Sequence, residues 1–229
     1  MKIVILGGTG LIGTALQKSL SNEHQVACFN RYAFKSVEYL TSLIEGSDLV
    51  IQLSGSVISK RWSQKVISDM WQSRVDTNQM LSRAVQLLNI KPRVICSSGI
   101  SFYAESSCDN PKTEDDPKGN GYLTELNIAI ESAAKSISDE VIILRFGVVL
   151  SREGGALQKL YWPYFFGAGG PIMTGDQCFS WIHIKDLVKA IEFLINDPKS
   201  RGVYNVTSPE PVPQKVFGRA LARALKRPF

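Results

Sequence analysis

Apolar positions along the chain follow two alternating periods. Short β-rich runs at Lys2–Leu6, Gln25–Phe29 and Leu49–Leu53 are each followed by a stretch of helical spacing, at Leu11–Leu20, Val37–Ile44 and Ser63–Leu88. Arg93–Cys96 predicts a fourth strand. After a long loop come a helix through Leu123–Ala134 and a strand at Val141–Phe146. Strands that alternate with helices predict βαβ units, hence an α/β fold with a doubly wound parallel sheet of the Rossmann-like kind. On this pattern residues 1–150 form the α/β core. Residues 151–229 supply a small C-terminal substrate lobe and elements that return to the sheet, all within one compact unit.

Two breaks interrupt the pattern. DNPKTEDDPKGNG (Asp109–Gly121) is polar and rich in Pro and Gly, and Gly154–Gly175 contains FFGAGGP. Both are expected to border a cleft. The amphipathic stretch Val216–Leu225 runs into Lys226-Arg227-Pro228-Phe229 without a stop signal, so the lobe is expected to be cut short.

A hydrophobic fraction of 44% with 21% charged residues describes a globular chain. The net charge of +5 is spread along the sequence without a basic block, which argues against nucleic acid as a partner. No run approaches the roughly 20 apolar residues of a membrane span. The opening MKIVILGG is too short for a secretory core. Cys28, Cys96, Cys108 and Cys178 are widely spaced, lack CxxC pairs and have no histidine cluster. That spacing predicts no metal site, no disulfide framework and reduced thiols in a cytoplasmic protein. It leaves the oligomeric state open.

GGTGLIG, Gly7–Gly13, lies directly between the first strand and the first helix. Gly7, Gly10 and Gly13 provide a tight turn, a bare backbone against a pyrophosphate and close helix–strand packing, with Thr9, Leu11 and Ile12 completing the loop and the helix start. The second strand runs into Asn30 and Arg31 where a carboxylate would accept from a free ribose hydroxyl. A guanidinium suits a 2′-phosphate, so the cofactor expected is NADP(H); the alternative is a solvated surface arginine.

With these motifs stand LSG (Leu53–Gly55), SSGISFY (Ser97–Tyr103), LRFGVVL (Leu144–Leu150), GGP…SWIHIKDL (Gly169–Leu187) and GVYNVTSPEPV (Gly202–Val212). Together they resemble the extended short-chain dehydrogenase/reductase superfamily, and more narrowly the branch of predicted nucleoside-diphosphate-sugar epimerases, the epimerase family proteins. The resemblance implies that Asn30 and Arg31 hold the adenosine phosphate, that Leu53, Ser54 and Gly55 line the cofactor, and that Val149 lies by the nicotinamide. It also marks Asp69 and Arg74 in SDMWQSR as cofactor contacts. Arg74 could pair with the pyrophosphate or form a helix-surface ion pair. The family commonly continues beyond this chain's last residue, in segments that help close the substrate pocket.

The superfamily's usual mechanism needs a lysine four residues after a tyrosine, because an unassisted phenol has a pKa of about 10. The tyrosines here, Tyr32, Tyr39, Tyr103, Tyr122, Tyr161, Tyr164 and Tyr204, all lack one; after Tyr122 that place is Leu126. Lys135 lies about 20 Å further along the same helix at 1.5 Å per residue, and Lys118 could reach only from a folded-back loop. The branch resembled also tends to lack the pair. Ser98 aligns with the substrate-orienting hydroxyl, or else satisfies backbone at a strand end. Ser98 and Tyr122 are therefore the catalytic candidates. Tyr103 and His183 are candidates for substrate contact, with aromatic packing and a helix cap at Lys185 as their alternatives. Glu125 could share a helix face with Tyr122, although a solvated carboxylate is the favoured reading. The function expected is an NADP(H)-binding oxidoreductase or epimerase of atypical mechanism on a small or nucleotide-sugar substrate. The rival is a non-catalytic NADP(H) sensor.

Overall fold

The computed structural model describes residues 1–105 and 107–229. Its strands are β1 (Lys2–Leu6), β2 (Gln25–Phe29), β3 (Leu49–Gln52), β4 (Arg93–Gly99), β5 (Ile142–Phe146), β6 (Val148–Ser151), β7 (Cys178–Phe179), β8 (Trp181–His183), β9 (Gly202–Val206) and β10 (Val212–Pro213). Its helices are α1 (Leu11–Leu20), α2 (Val37–Ile44), α3 (Gln64–Trp71), α4 (Thr77–Gln86), α5 (Tyr122–Lys135), α6 (Gly155–Phe165), α7 (Ile184–Asn196) and α8 (Gln214–Ala224).

Six strands form one parallel sheet in the order β2-β1-β3-β4-β5-β9. A parallel sheet is covered on both faces, so its strands read as nearly unbroken apolar runs. The side-chain alternation divides them: Ile3, Ile5, Ile51 and Leu144 face α1 and α7, whereas Val4, Leu6, Val50 and Ile143 face α2, α4 and α5. The chain winds outward from β1 in both directions, which puts the switch in strand order between β1 and β3 and opens a crevice at their carboxyl ends. The doubly wound fold expected from the sequence is the fold observed. Two small pairs, β6 with β8 and β10 with β7, carry the C-terminal lobe.

Three expectations need correction. The single helix predicted over Ser63–Leu88 is broken by a π-helical turn at Gln72–Asp76, which sends Met70 and Val75 into a third apolar cluster with Leu126, Ile130 and Ala133. The FFGAGGP run does not line the cleft: Gly167 and Gly169 pack against Pro228 and Tyr164, and the first half of Gly154–Gly175 is helix α6. Cys108 and Cys178 are not free thiols. They are 70 residues apart in sequence, and the fold brings their Cα atoms to 5.1 Å in a disulfide. Spacing alone could not foresee a bridge between a loop and a lobe strand. Among the described residues, no helix is long and apolar enough to cross a membrane, and no cluster of metal-ligating side chains occurs.

Candidate functional site

The phosphate loop is shaped by what its glycines exclude. Gly7 has φ +83°, and a Cβ there would lie 2.8 Å from the Leu53 carbonyl carbon and the Ser54 nitrogen at the end of β3. A Cβ at Gly13 would come within 2.5 Å of the Gly8 Cα, so only glycine lets α1 approach the loop. Gly10 differs. A Cβ there meets only the Gly7 carbonyl, at 3.4 Å, and the space beside it is open. Gly10 is also the N-cap of α1 and supplies no side chain to the helix's first N–H groups. Those donors, and the positive end of the helix dipole, face the opening. Thr9 is exposed there, Leu11 packs toward Gly154 and Gly155, and Ile12 packs into the core.

β2 ends beside this loop, because the N–H groups of Gly7 and Gly8 both donate to the Phe29 carbonyl. Asn30 Oδ1 then accepts from Tyr32 N–H at 2.9 Å and caps a single turn, Arg31–Phe34. The Arg31 side chain is exposed, with its guanidinium 5.8 Å over the Tyr32 ring, and it forms no ion pair among the described residues. Across the crevice Leu53 donates to the Leu6 carbonyl, and the buried Ser54 Oγ has no protein partner. Val149 lies on β6, opposite Ile182.

Asp69 is exposed on α3. Arg74, on the π-helical turn, instead folds back under Gly55 and donates to the Ser56 carbonyl at 2.8 Å. Burial lowers its pKa, opposed by the nearby Tyr122 phenol.

A cleft of about 1150 Å³ opens between the segment after β4, the first turn of α5 and the lobe strands; Tyr103, Tyr122, Asn205 and Thr207 are among its lining residues. Beneath it lies a polar network. Ser98 donates to Glu131 Oε1 at 2.9 Å, and Arg145 grips both Glu131 oxygens through Nε and Nη2, each at 2.8 Å. Arg145 Nη1 donates to the Tyr103 hydroxyl, which donates in turn to Asn205 Oδ1 at 2.8 Å. Glu131 and Arg145 are each 3% exposed, so the pair replaces water with a bidentate ionic contact. Burial works to lower the Arg145 pKa, but the hydrogen bonds with Glu131 and Tyr103 outweigh it and leave the pKa raised.

Tyr122 is turned away from this network. Its hydroxyl donates to the Ile67 carbonyl at 2.9 Å, and its ring meets Trp62 edge-on at 5.6 Å between centroids. Burial raises its pKa, partly offset by the charge of Arg74. Leu126, in the place of the usual lysine, is 2% exposed among apolar side chains. His183 Nδ1 accepts from Lys185 N–H at 3.2 Å and caps α7, and Glu125 is exposed. Sequence reasoning missed Glu131, Arg145 and Asn205. A charge inside the apolar strand IILRF was the available signal, since such a charge demands a buried partner.

A glycine cradle at the switch point of a doubly wound sheet, with a polar-floored cleft beside it, defines a protein of the dinucleotide-binding fold class. The chain belongs to the NAD dependent epimerase/dehydratase family, whose model matches residues 3–207. An epimerase family protein of Staphylococcus aureus is 31% identical over 242 residues, covering 98% of this chain and 81% of that one. A crystal structure of a human epimerase family protein with NADPH superposes with a TM-score of 0.89 at 29% identity, over 100% of this chain and 81% of that one. A nucleoside-diphosphate sugar epimerase from Corynebacterium glutamicum superposes at 0.82 with 26% identity, over 98% of this chain and 51% of that one.

Proposed function

We propose that the protein is an NADP(H)-dependent oxidoreductase or epimerase of atypical mechanism, acting on a small or nucleotide-linked substrate in the cleft. The observation that carries this reading is the open space at Gly10, faced by the uncapped start of α1, with the exposed Arg31 next to the same loop. The group fits: a side chain at Gly10 would fill its cradle, and the buried Ser54 Oγ lacks a partner that a ribose hydroxyl would supply. Gly7, Thr9, Gly10, Leu11, Ile12 and Gly13 would hold the pyrophosphate. Asn30 and Arg31 would hold the adenosine phosphate. Leu53, Ser54, Gly55 and Val149 would line the remainder, and Arg74 would act by bracing the loop at Gly55. NADPH in the structure of the human relative supports the cofactor choice, and the name of the Corynebacterium relative supports the nucleotide-linked substrate class.

When bound, the nicotinamide exchanges a hydride with a carbonyl or carbinol carbon. The protein's part is to orient the substrate oxygen and manage its proton. Ser98 commits its proton to Glu131 and so offers lone pairs to a substrate hydroxyl. Tyr103 has what Tyr122 lacks, a cation donating to its oxygen, so charge that develops on that oxygen meets the Arg145 guanidinium. The test is titration of NADPH and NADH by fluorescence, followed by turnover of a panel of carbonyl and nucleotide-sugar compounds. Equal affinities would remove the NADP(H) assignment. A second reading, a non-catalytic NADP(H)-sensing module, draws on the occupied Tyr122 hydroxyl and the apolar seat of Leu126. Tight NADPH binding without turnover would select it.

A further inference from the structure

We propose that Cys108 and Cys178 form a reversible redox modification site, opened by a dithiol, whose state decides whether the outer rim of the cleft is tied down. The bridge joins the long loop after β4 to β7 of the lobe. Both of its flanks line the cleft: Ser107, Pro111 and Lys112 on one wall, Gln177, Cys178 and Ser180 on the other.

The loop's ties are unevenly placed. Its base is held firmly. Glu114 Oε1 accepts from the Asn205 N–H at 2.6 Å, the Lys112 carbonyl accepts from Asn205 Nδ2 at 3.3 Å, and Gly119 N–H donates to the Phe102 carbonyl at 2.9 Å. Between Ala104 and Lys112 the hydrogen bond found among the described residues, Asn110 N–H to the Ser107 carbonyl, is internal to the rim. Among the described residues the disulfide is thus the tie from this stretch to the opposite wall. Breaking it releases the rim and leaves the Glu114 anchor, the Arg145 network and the phosphate loop in place.

The chemistry is confined to this pair. Cys108 and Cys178 are both partly exposed at the cleft. The other two cysteines are shielded: burial pushes the Cys96 thiol up to about 12, and Cys28 is also pushed up by burial, behind Gly8. In the exchange a thiolate of the dithiol attacks one sulfur of the bridge and forms a mixed disulfide, and the other cysteine leaves as a thiolate. The second thiol of the reagent then displaces the first cysteine. Two protein thiols form as the dithiol becomes a disulfide, so electrons and protons balance. In a reducing cytoplasm the rim would be free, and under oxidation it would be fastened.

The experiment compares intact protein equilibrated with oxidised and with reduced dithiothreitol. Thiols counted after denaturation should rise from two to four. Limited digestion with endoproteinase Asp-N, read by mass spectrometry, should cut before the exposed Asp109 roughly tenfold faster in the reduced form, because cleavage follows the open population. A Cys108→Ser/Cys178→Ser variant should be cut at the fast rate in both buffers. NADPH titration should be the same throughout, so loss of cofactor binding would speak against the proposed function and not against this site. An unchanged thiol count, or equal cleavage of oxidised and reduced protein, would overturn the proposal.

Discussion

Restoring the missing lysine should damage the protein without restoring a mechanism. In Leu126→Lys the new side chain would start from a position 2% exposed, in an apolar cluster with Met70, Val75, Ile130 and Ala133. The aliphatic stem can keep part of the leucine's packing, so charge burial dominates. Burial of this kind lowers a lysine pKa by up to 3–5 units. A shift of roughly 3 units from about 10.4 costs about 4 kcal/mol at pH 7. The sign follows from proton counting. Between the depressed folded value and the unfolded value the unfolded chain binds more protons, so stability rises with pH. On that basis about 2.5 kcal/mol should return between pH 7 and pH 9.5.

Urea unfolding at the two pH values measures this directly, with Leu126→Met as a control of similar volume expected to cost under about 1.5 kcal/mol at both. The variant should also gain no turnover, because the Tyr122 hydroxyl points to the Ile67 carbonyl. Wild-type stability at pH 7, or turnover that appears in Leu126→Lys and vanishes on adding Tyr122→Phe, would refute the argument.

Gly10→Val should abolish NADPH binding in a folded protein, since φ −81° suits valine and the new methyls enter the open cradle; circular dichroism with NADPH fluorescence checks both halves. Arg31→Ala should weaken NADPH by roughly 1.5–3 kcal/mol, the worth of a charge-assisted hydrogen bond, and leave NADH unchanged in the same titration. Tyr122→Phe should cost about 1 kcal/mol of stability for one lost hydrogen bond and little turnover, far from the roughly 10²–10⁴-fold loss of a true general acid. Ser98→Ala should lower turnover more than Tyr122→Phe does, with NADPH affinity serving as the folding control for both.

The cofactor half of the molecule was legible because backbone builds it. Gly7 takes a positive φ, Gly13 must clear Gly8 five residues back and Gly10 leaves the cradle open, and the strand–loop–helix context that carries these roles is local in sequence. The cleft floor was not legible in the same way. Ser98 and Glu131 are 33 residues apart in sequence, Tyr103 and Arg145 are 42 apart, and Tyr103 and Asn205 are 102 apart. No periodicity links such positions; only the assembled sheet does. The disulfide was hidden for the same reason. Ser98, near the end of β4, was singled out by the family resemblance, but its partner Glu131 reads in the sequence as one more helix carboxylate.

The helix break at Gln72–Asp76 connects the two halves of the site. Within these five residues the turn directs Arg74 under Gly55, where a Cβ would come within 2.8 Å of the guanidinium carbon, and directs Val75 toward Leu126. The first contact braces the loop after β3 that borders the phosphate cradle. The second closes the apolar seat at position 126, beside the carbonyl of Ile67 that accepts the Tyr122 hydrogen bond. A regular helix through this stretch would shift Val75 relative to Met70 and alter both contacts together. The absent Tyr-Lys pair is therefore not an isolated substitution at one position. It belongs to a packing arrangement in which α5 is fastened to α3 through its first two turns, while the hydrogen-bonded network under the cleft is built from Ser98, Glu131, Arg145 and Tyr103.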